Sequence, residues 1–325
     1  MDEKLLESLA SMIADYRAGE IEPPSKEHIK QWGEQFTEGV REKLLTELVR
    51  VLRQTYIPKT RVEEFLAALV TNQKLTGGDP KAFWQEAKLL AIQKRGSSQR
   101  EMLSMFAVPL KAQLGLDISE CGKTPSCYVY IDDGLFSGNH ILGDLRDWLG
   151  GDAPAEAVVH VIVIALHRGG QYYARISLEK VAKEKGKNIR FTWWRIVELE
   201  DRRAYINISD VLRPTRIPDD ADTRAYVAAM QHHPVLRMPP STGQLNIFSS
   251  EEARDLLEQE FLAKGVHIRR ICPFLNQYQR PLGNMVLETL GFGSTIVTYR
   301  NCPNNAPLVF WAGSPWNPLF PRKTN

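Results

Sequence analysis

Through roughly the first eighty residues, apolar side chains recur at three- and four-residue spacing, the period that places them on one face of a helix. Leu5, Leu6, Leu9, Met12, Ile13 and Tyr16 form one stripe. Ile29, Trp32 and Phe36 form a second after Ser25, a good N-cap. Leu44, Leu45, Leu48, Val51 and Leu52 form a third, and Thr60-Arg61-Val62-Glu63 is a capping box ahead of a fourth over residues 65–70. The stripes predict a helical N-terminal domain over residues 1–78, its apolar faces turned to its own interior. Gly77-Gly78-Asp79-Pro80 marks the boundary, with Asp79 as N-cap and Pro80 at the first helical position.

Beyond it the pattern changes. Residues 89–92, 127–131, 158–166 and 189–197 are short apolar runs without polar alternation, as in strands covered on both faces. Helical segments near residues 99–113, 140–149 and 171–185 separate them. Strands alternating with helices predict an α/β core over residues 79–215, a parallel sheet flanked by helices. From Asp210 onward, Pro214, Pro218, Pro234, Pro239 and Pro240 interrupt a stretch with one short helix over residues 222–231, so it is expected to wrap the surface. Ser249-Ser250-Glu251-Glu252 opens a further helix with Leu256, Leu257, Phe261 and Leu262 as its stripe and Gly265 as its stop. Strands are expected over residues 266–271 and 295–299, and residues 216–325 are read as an accessory region completing the core.

Composition narrows the function classes. Forty-one basic against 39 acidic residues give a net charge of +2, no bulk attraction to nucleic acid or anionic membrane, so direct nucleic-acid binding is not indicated. Cys121, Cys127, Cys272 and Cys302 are too sparse for a disulfide framework and show no C-x-x-C spacing, which reads as reduced packing residues in a cytoplasmic protein. The longest apolar run, residues 157–166, is about half a membrane span. His232-His233 lacks a nearby Cys or carboxylate at metal-ligand spacing.

The most informative stretch is residues 128–140, an apolar strand that runs into Asp132-Asp133 and then the turn Gly134-Leu135-Phe136-Ser137-Gly138-Asn139 before a helix. Ligands of open α/β sheets bind beyond the carboxyl ends of the strands. Backbone amides of a small-residue turn at a helix N-terminus suit a phosphate. Two adjacent carboxylates suit vicinal ribose hydroxyls or a hydrated Mg²⁺. Capping of a turn is the alternative for the pair.

At these residues the sequence resembles the type I phosphoribosyltransferases. Asp132 and Asp133 match that family's acidic pair, and Ser137 and Gly138 match its Thr-Gly. The resemblance implies that Asp132 and Asp133 act at the catalytic centre and on Mg²⁺. Gly134, Leu135, Ser137, Gly138 and Asn139 would then hold the 5-phosphate of phosphoribosyl pyrophosphate. In that family a short loop after an earlier strand holds the pyrophosphate, and Lys94, Arg95, Gly96 and Ser97 supply amides and cations at the matching place. Arg168, after the strand ending at Leu166, falls on the same edge. Residues 116–126, with Lys123, are what stands before the Asp-Asp strand for a catalytic loop.

Arg280-Pro281-Leu282-Gly283, Gly291-Phe292-Gly293 and the Pro303-Asn304-Asn305 tail with Trp311 are similar to the phosphoribosyltransferase-like proteins of bacterial conflict systems. That resemblance implies an antiviral defence effector placed beside a partner such as a retron reverse transcriptase or an ATPase. Phe136 and His140 stand where small hydroxylated residues are usual. They favour the alternative, a catalytically inactive nucleotide-sensing or scaffold subunit acting through protein partners. The tail itself, rich in proline and tryptophan, reads as an ordered loop packed on the core.

Overall fold

A computed structural model describes residues 1–94, 96–238 and 245–322. The chain forms two compact units, Met1–Lys59 with Glu200–Asn325, and Thr60–Leu199. These units divide after Lys59 and Leu199, where the sequence pattern places boundaries at residues 78 and 215. The first helices are completed by the C-terminal third, because their apolar stripes meet their partners there. Trp32 donates its indole N–H to the Val309 carbonyl at 2.7 Å, and the Tyr16 hydroxyl reaches the Pro321 carbonyl at 3.0 Å.

The first unit begins with α1 (Glu3–Met12), α2 (Lys26–Glu34) and α3 (Arg41–Thr55), followed by β1 (Tyr56–Ile57). Asp2 and Ser25 cap α1 and α2 by accepting from the Lys4 and His28 amides.

The second unit takes up α4 (Lys59–Val70), α5 (Gln73–Thr76) and α6 (Pro80–Glu86), with Asp79 capping α6 as its sequence requires. Then come β2 (Ala87–Leu89), α7 (Ser98–Leu114), β3 (Cys127–Leu135), α8 (Asn139–Gly150), β4 (Glu156–His167), α9 (Arg168–Glu184) and β5 (Asn188–Leu199). The four strands lie in the order β2-β3-β4-β5, all parallel. Val159, Val161 and Val163 of β4 pack against Ile141, Leu142, Leu145 and Leu149 of α8 and Leu178 of α9. Each such side chain contributes about 1.5–3 kcal/mol when fully buried. The sheet is therefore a rigid base for the loops at its carboxyl edge.

Two boundaries differ from expectation. The run at residues 89–92 supplies only the end of its strand, because the Ile92 and Gln93 amides bond to the Gln99 side-chain oxygen at 2.7 and 2.8 Å. Asp132 and Asp133 lie within β3 and not at its end. Gly134 and Leu135 continue the ladder opposite Ala165 and Leu166.

The rest of the first unit holds α10 (Ala221–Ala228), α11 (Glu251–Ile271), β6 (Gln279–Arg280), β7 (Gly283–Asn284), β8 (Val297–Thr298) and α12 (Leu308–Trp311). Gly265 does not stop α11, and residues 266–271 are helical. A glycine is there because Pro281 packs on the helix at that point. The expected strand over residues 295–299 shortens to β8, paired in parallel with β1. The proline-rich stretch is described to residue 238, with Pro239 and Pro240 outside the described residues; much of it is exposed, but it is anchored by the fully buried Val211 and Leu212. The Arg237 guanidinium satisfies that segment, donating to the carbonyls of Ile206, Asn207, Ser209, Val211 and Arg213 and to Glu258 at 2.9 Å. The tail packs into the core through Trp311 and Trp316. No helix of the described residues is long and apolar enough to cross a membrane.

Candidate functional site

Parallel strands align their carboxyl ends, so the segments after β2, β3 and β4 share one edge of the sheet. After β3, the turn at residues 136–138 leads into α8, whose N-cap is Gly138 in the left-handed region at φ 81°. No side chain caps the first turn of α8, and backbone amides at such a helix start are of the kind that suit an anion. The turn lies against the start of α9. A β-carbon on Gly138 would strike the Gly170 carbonyl, and one on Gly170 would strike the Phe136 carbonyl. The Phe136 and His167 rings are 5.1 Å apart. Ser137 and Asn139 are exposed, while Leu135 is buried beneath them.

Asp132 is 2% exposed and Asp133 is half-buried. One Asp132 oxygen accepts from the Asp133 amide at 2.9 Å, and the other lies 3.3 Å from the Tyr130 hydroxyl. That hydroxyl is 2.8 Å from an Asp144 oxygen of α8, and the Ser98 side chain neighbours the Asp132 carboxyl and favours its charged form. Burial, followed by the neighbouring Asp133 charge, pushes Asp132 up to about 7.

The segment after β2 is folded back on α7. Gln93 and Gln99 bond reciprocally, the Gln99 amide reaching the Gln93 side-chain oxygen at 3.0 Å, and Gln93 donates to Ser98 Oγ at 2.8 Å. Gly96 takes φ 88°, the left-handed turn that glycine allows at low cost. Lys94 pairs with Asp147 of α8 at 2.5 Å, both more than half exposed, and Ser97 Oγ bonds Glu101 at 2.6 Å. Arg95 lies outside the described residues. Arg168 Nε is 2.7 Å from Glu198.

The structure thus gathers Lys94, Gly96, Ser97, Asp132, Asp133, residues 134–139 and Arg168 on one edge. It does not bring Lys123 there. Residues 116–126 precede β3 at its amino end, tied to the Gln85 and Glu86 carbonyls. Sequence reading missed Ser98, Tyr130, Asp144 and Gly170. The signal for Asp144 was an acidic residue on the otherwise apolar face of α8, and for Tyr130 its two-residue spacing from Asp132.

A family model, PRTase-CE, matches residues 29–322. The chain belongs to the PRTase-CE family. The match takes in residues of both units, and this PRTase-CE protein is phosphoribosyltransferase-like. No curated protein and no solved structure matches it.

Proposed function

We propose that this PRTase-CE protein binds a ribose 5-phosphate ligand, phosphoribosyl pyrophosphate foremost, with Mg²⁺. It would serve in the cytoplasm as an effector of bacterial antiviral defence, beside a partner such as a retron reverse transcriptase or an ATPase. The binding reading rests on the meeting of three segments at the carboxyl edge of a parallel sheet. These are the acidic pair of β3, the uncapped start of α8 and the loop after β2. The defence reading rests on the resemblance of the tail motifs alone.

Mg²⁺ usually keeps several waters and is held through one or two carboxylates plus substrate phosphates. No group of three or more metal-ligating side chains occurs among the described residues, so an all-protein cage does not fit. A carboxylate and a ligand diphosphate do fit, and Asp133, with Asp132 behind it, would hold the ion. Bound there, it would neutralise charge on the departing pyrophosphate. Ser137, Gly138 and Asn139 would orient the 5-phosphate through backbone amides. Gly96 and Ser97 would orient the pyrophosphate, with Lys94 and Arg168 exchanging Asp147 and Glu198 for it.

Calorimetry with phosphoribosyl pyrophosphate and Mg²⁺ tests this. Binding by the wild type and its loss in Asp132→Ala/Asp133→Ala, with the chain still folded, is the expected result. Equal affinity in both would reject it. A second reading, a sensor without turnover, is favoured by the placement of residues 116–126 away from the site. Pyrophosphate release across a panel of bases, nucleotides and oligonucleotides, with and without a partner, separates the two.

A further inference from the structure

Two carboxylates adjacent in sequence are not equivalent here. Asp132 is almost fully enclosed, and the groups around it come from three elements: the Asp133 amide and Tyr130 hydroxyl of β3, Asp144 of α8 behind that hydroxyl, and Ser98 at the start of α7. Tyr130 is fully buried and Asp144 is 5% exposed. Ser98 Oγ in turn accepts from Gln93, which shapes the loop carrying Lys94, Gly96 and Ser97. Donors and acceptors are compatible along this chain: the Gln93 amide donates to the Ser98 oxygen, which leaves the Ser98 hydroxyl hydrogen to point toward the Asp132 carboxyl beside it. Asp133, half-buried, has the more accessible carboxylate of the two.

We infer that the pair divides its work. Asp133 presents its carboxylate to the ligand, while Asp132 is a positioning residue that locks the loop after β2 and the helix after β3 to one strand, with Ser98 as its link to the loop. This rests on the ribose-phosphate reading above. It predicts that Asp132 is needed for its accepting oxygen more than for its charge, since a carboxamide at the same place keeps one acceptor for the groups around it. Replacing it with alanine removes every one of those bonds.

Calorimetry with Mg²⁺ and either phosphoribosyl pyrophosphate or ribose 5-phosphate, alongside thermal melts, tests the inference. Asp133→Asn should weaken phosphoribosyl pyrophosphate by about 100-fold, the loss of a charge-assisted contact. Asp132→Asn should weaken it by about threefold to tenfold, and Asp132→Ala by clearly more. Ser98→Ala should weaken phosphoribosyl pyrophosphate more than ribose 5-phosphate, because only the former reaches the loop, and Ser98→Thr should restore it. Equal losses in Asp132→Asn and Asp133→Asn would overturn the division while leaving the binding reading intact. So would Ser98→Ala acting on melting temperature alone. If the wild type binds neither compound, the reading and the inference fall together.

Discussion

The carbonyl oxygen of Pro281 lies 2.7 Å from the point where a β-carbon on Gly265 would stand, in the middle of the 21-residue helix α11. On a solvent-facing helix, Gly→Ala typically gains about 1 kcal/mol. Here the methyl meets backbone, which cannot swing aside. Gly265→Ala should therefore destabilise by about 1–3 kcal/mol, as overpacking does. A chemical denaturation midpoint at or above wild type would refute this.

The same argument applied to Gly170 bears on the site. A methyl there meets the Phe136 carbonyl and must push the turn before α8 off the start of α9. Gly170→Ala should abolish binding of phosphoribosyl pyrophosphate by calorimetry while the circular dichroism spectrum stays that of a folded chain. Unchanged affinity would mean that the turn does not contact the ligand.

Arg237 and Glu258 form an ion pair with neither side chain exposed. Removing one partner strands a buried charge, which typically costs about 3–5 kcal/mol. Arg237→Leu and Glu258→Leu should each lower the urea midpoint sharply. The Arg237 change should be the worse of the two, because five carbonyls lose their donor as well. Equal effects would show that the carbonyls find other partners.

Asp132 sets a pH dependence of stability. Its carboxyl ordinarily titrates at 3.8 and stands at about 7 in the fold. Between those values the folded chain keeps a proton that the unfolded chain has released, so this group's contribution falls as pH rises from about 4 to about 7 and then levels off. Melting temperatures at pH 5 and pH 8 should differ more in the wild type than in Asp132→Asn. Equal differences in the two proteins would contradict the assignment.

The sheet was readable because its signals are local. The runs at residues 127–131 and 158–166 are too apolar for any place but the inside of a parallel sheet, and they extend in the fold as β3 and β4, while the run at 189–197, interrupted by Arg190 and Arg195, extends as the half-buried edge strand β5. Gly265 misled because glycine has two uses, ending a helix and admitting a close neighbour, and the neighbour comes from Pro281, distant in sequence. The Asp132-Asp133 motif was visible, but its asymmetry was not. That depends on Ser98 and Asp144, which the chain brings in from two other elements. The pairing of Tyr56 and Ile57 with Val297 and Thr298 was equally hidden, since two residues carry no periodicity.

The first unit is assembled from both ends of the chain, with contacts such as Trp32 to Val309 spanning most of its length. During synthesis, residues 60–199 are all available to fold while α1, α2 and α3 still lack the segments that cover them. Closing so long a loop is slow, and until it closes Trp32, Phe36 and the leucines of α3 stand open to water. The growing chain thus passes through a stage at which the sheet can already form while the first helices remain uncovered. The abundance of this protein in cells should accordingly depend on chaperones that hold α1, α2 and α3 until residues such as Val309 and Pro321, which cover them, have been made.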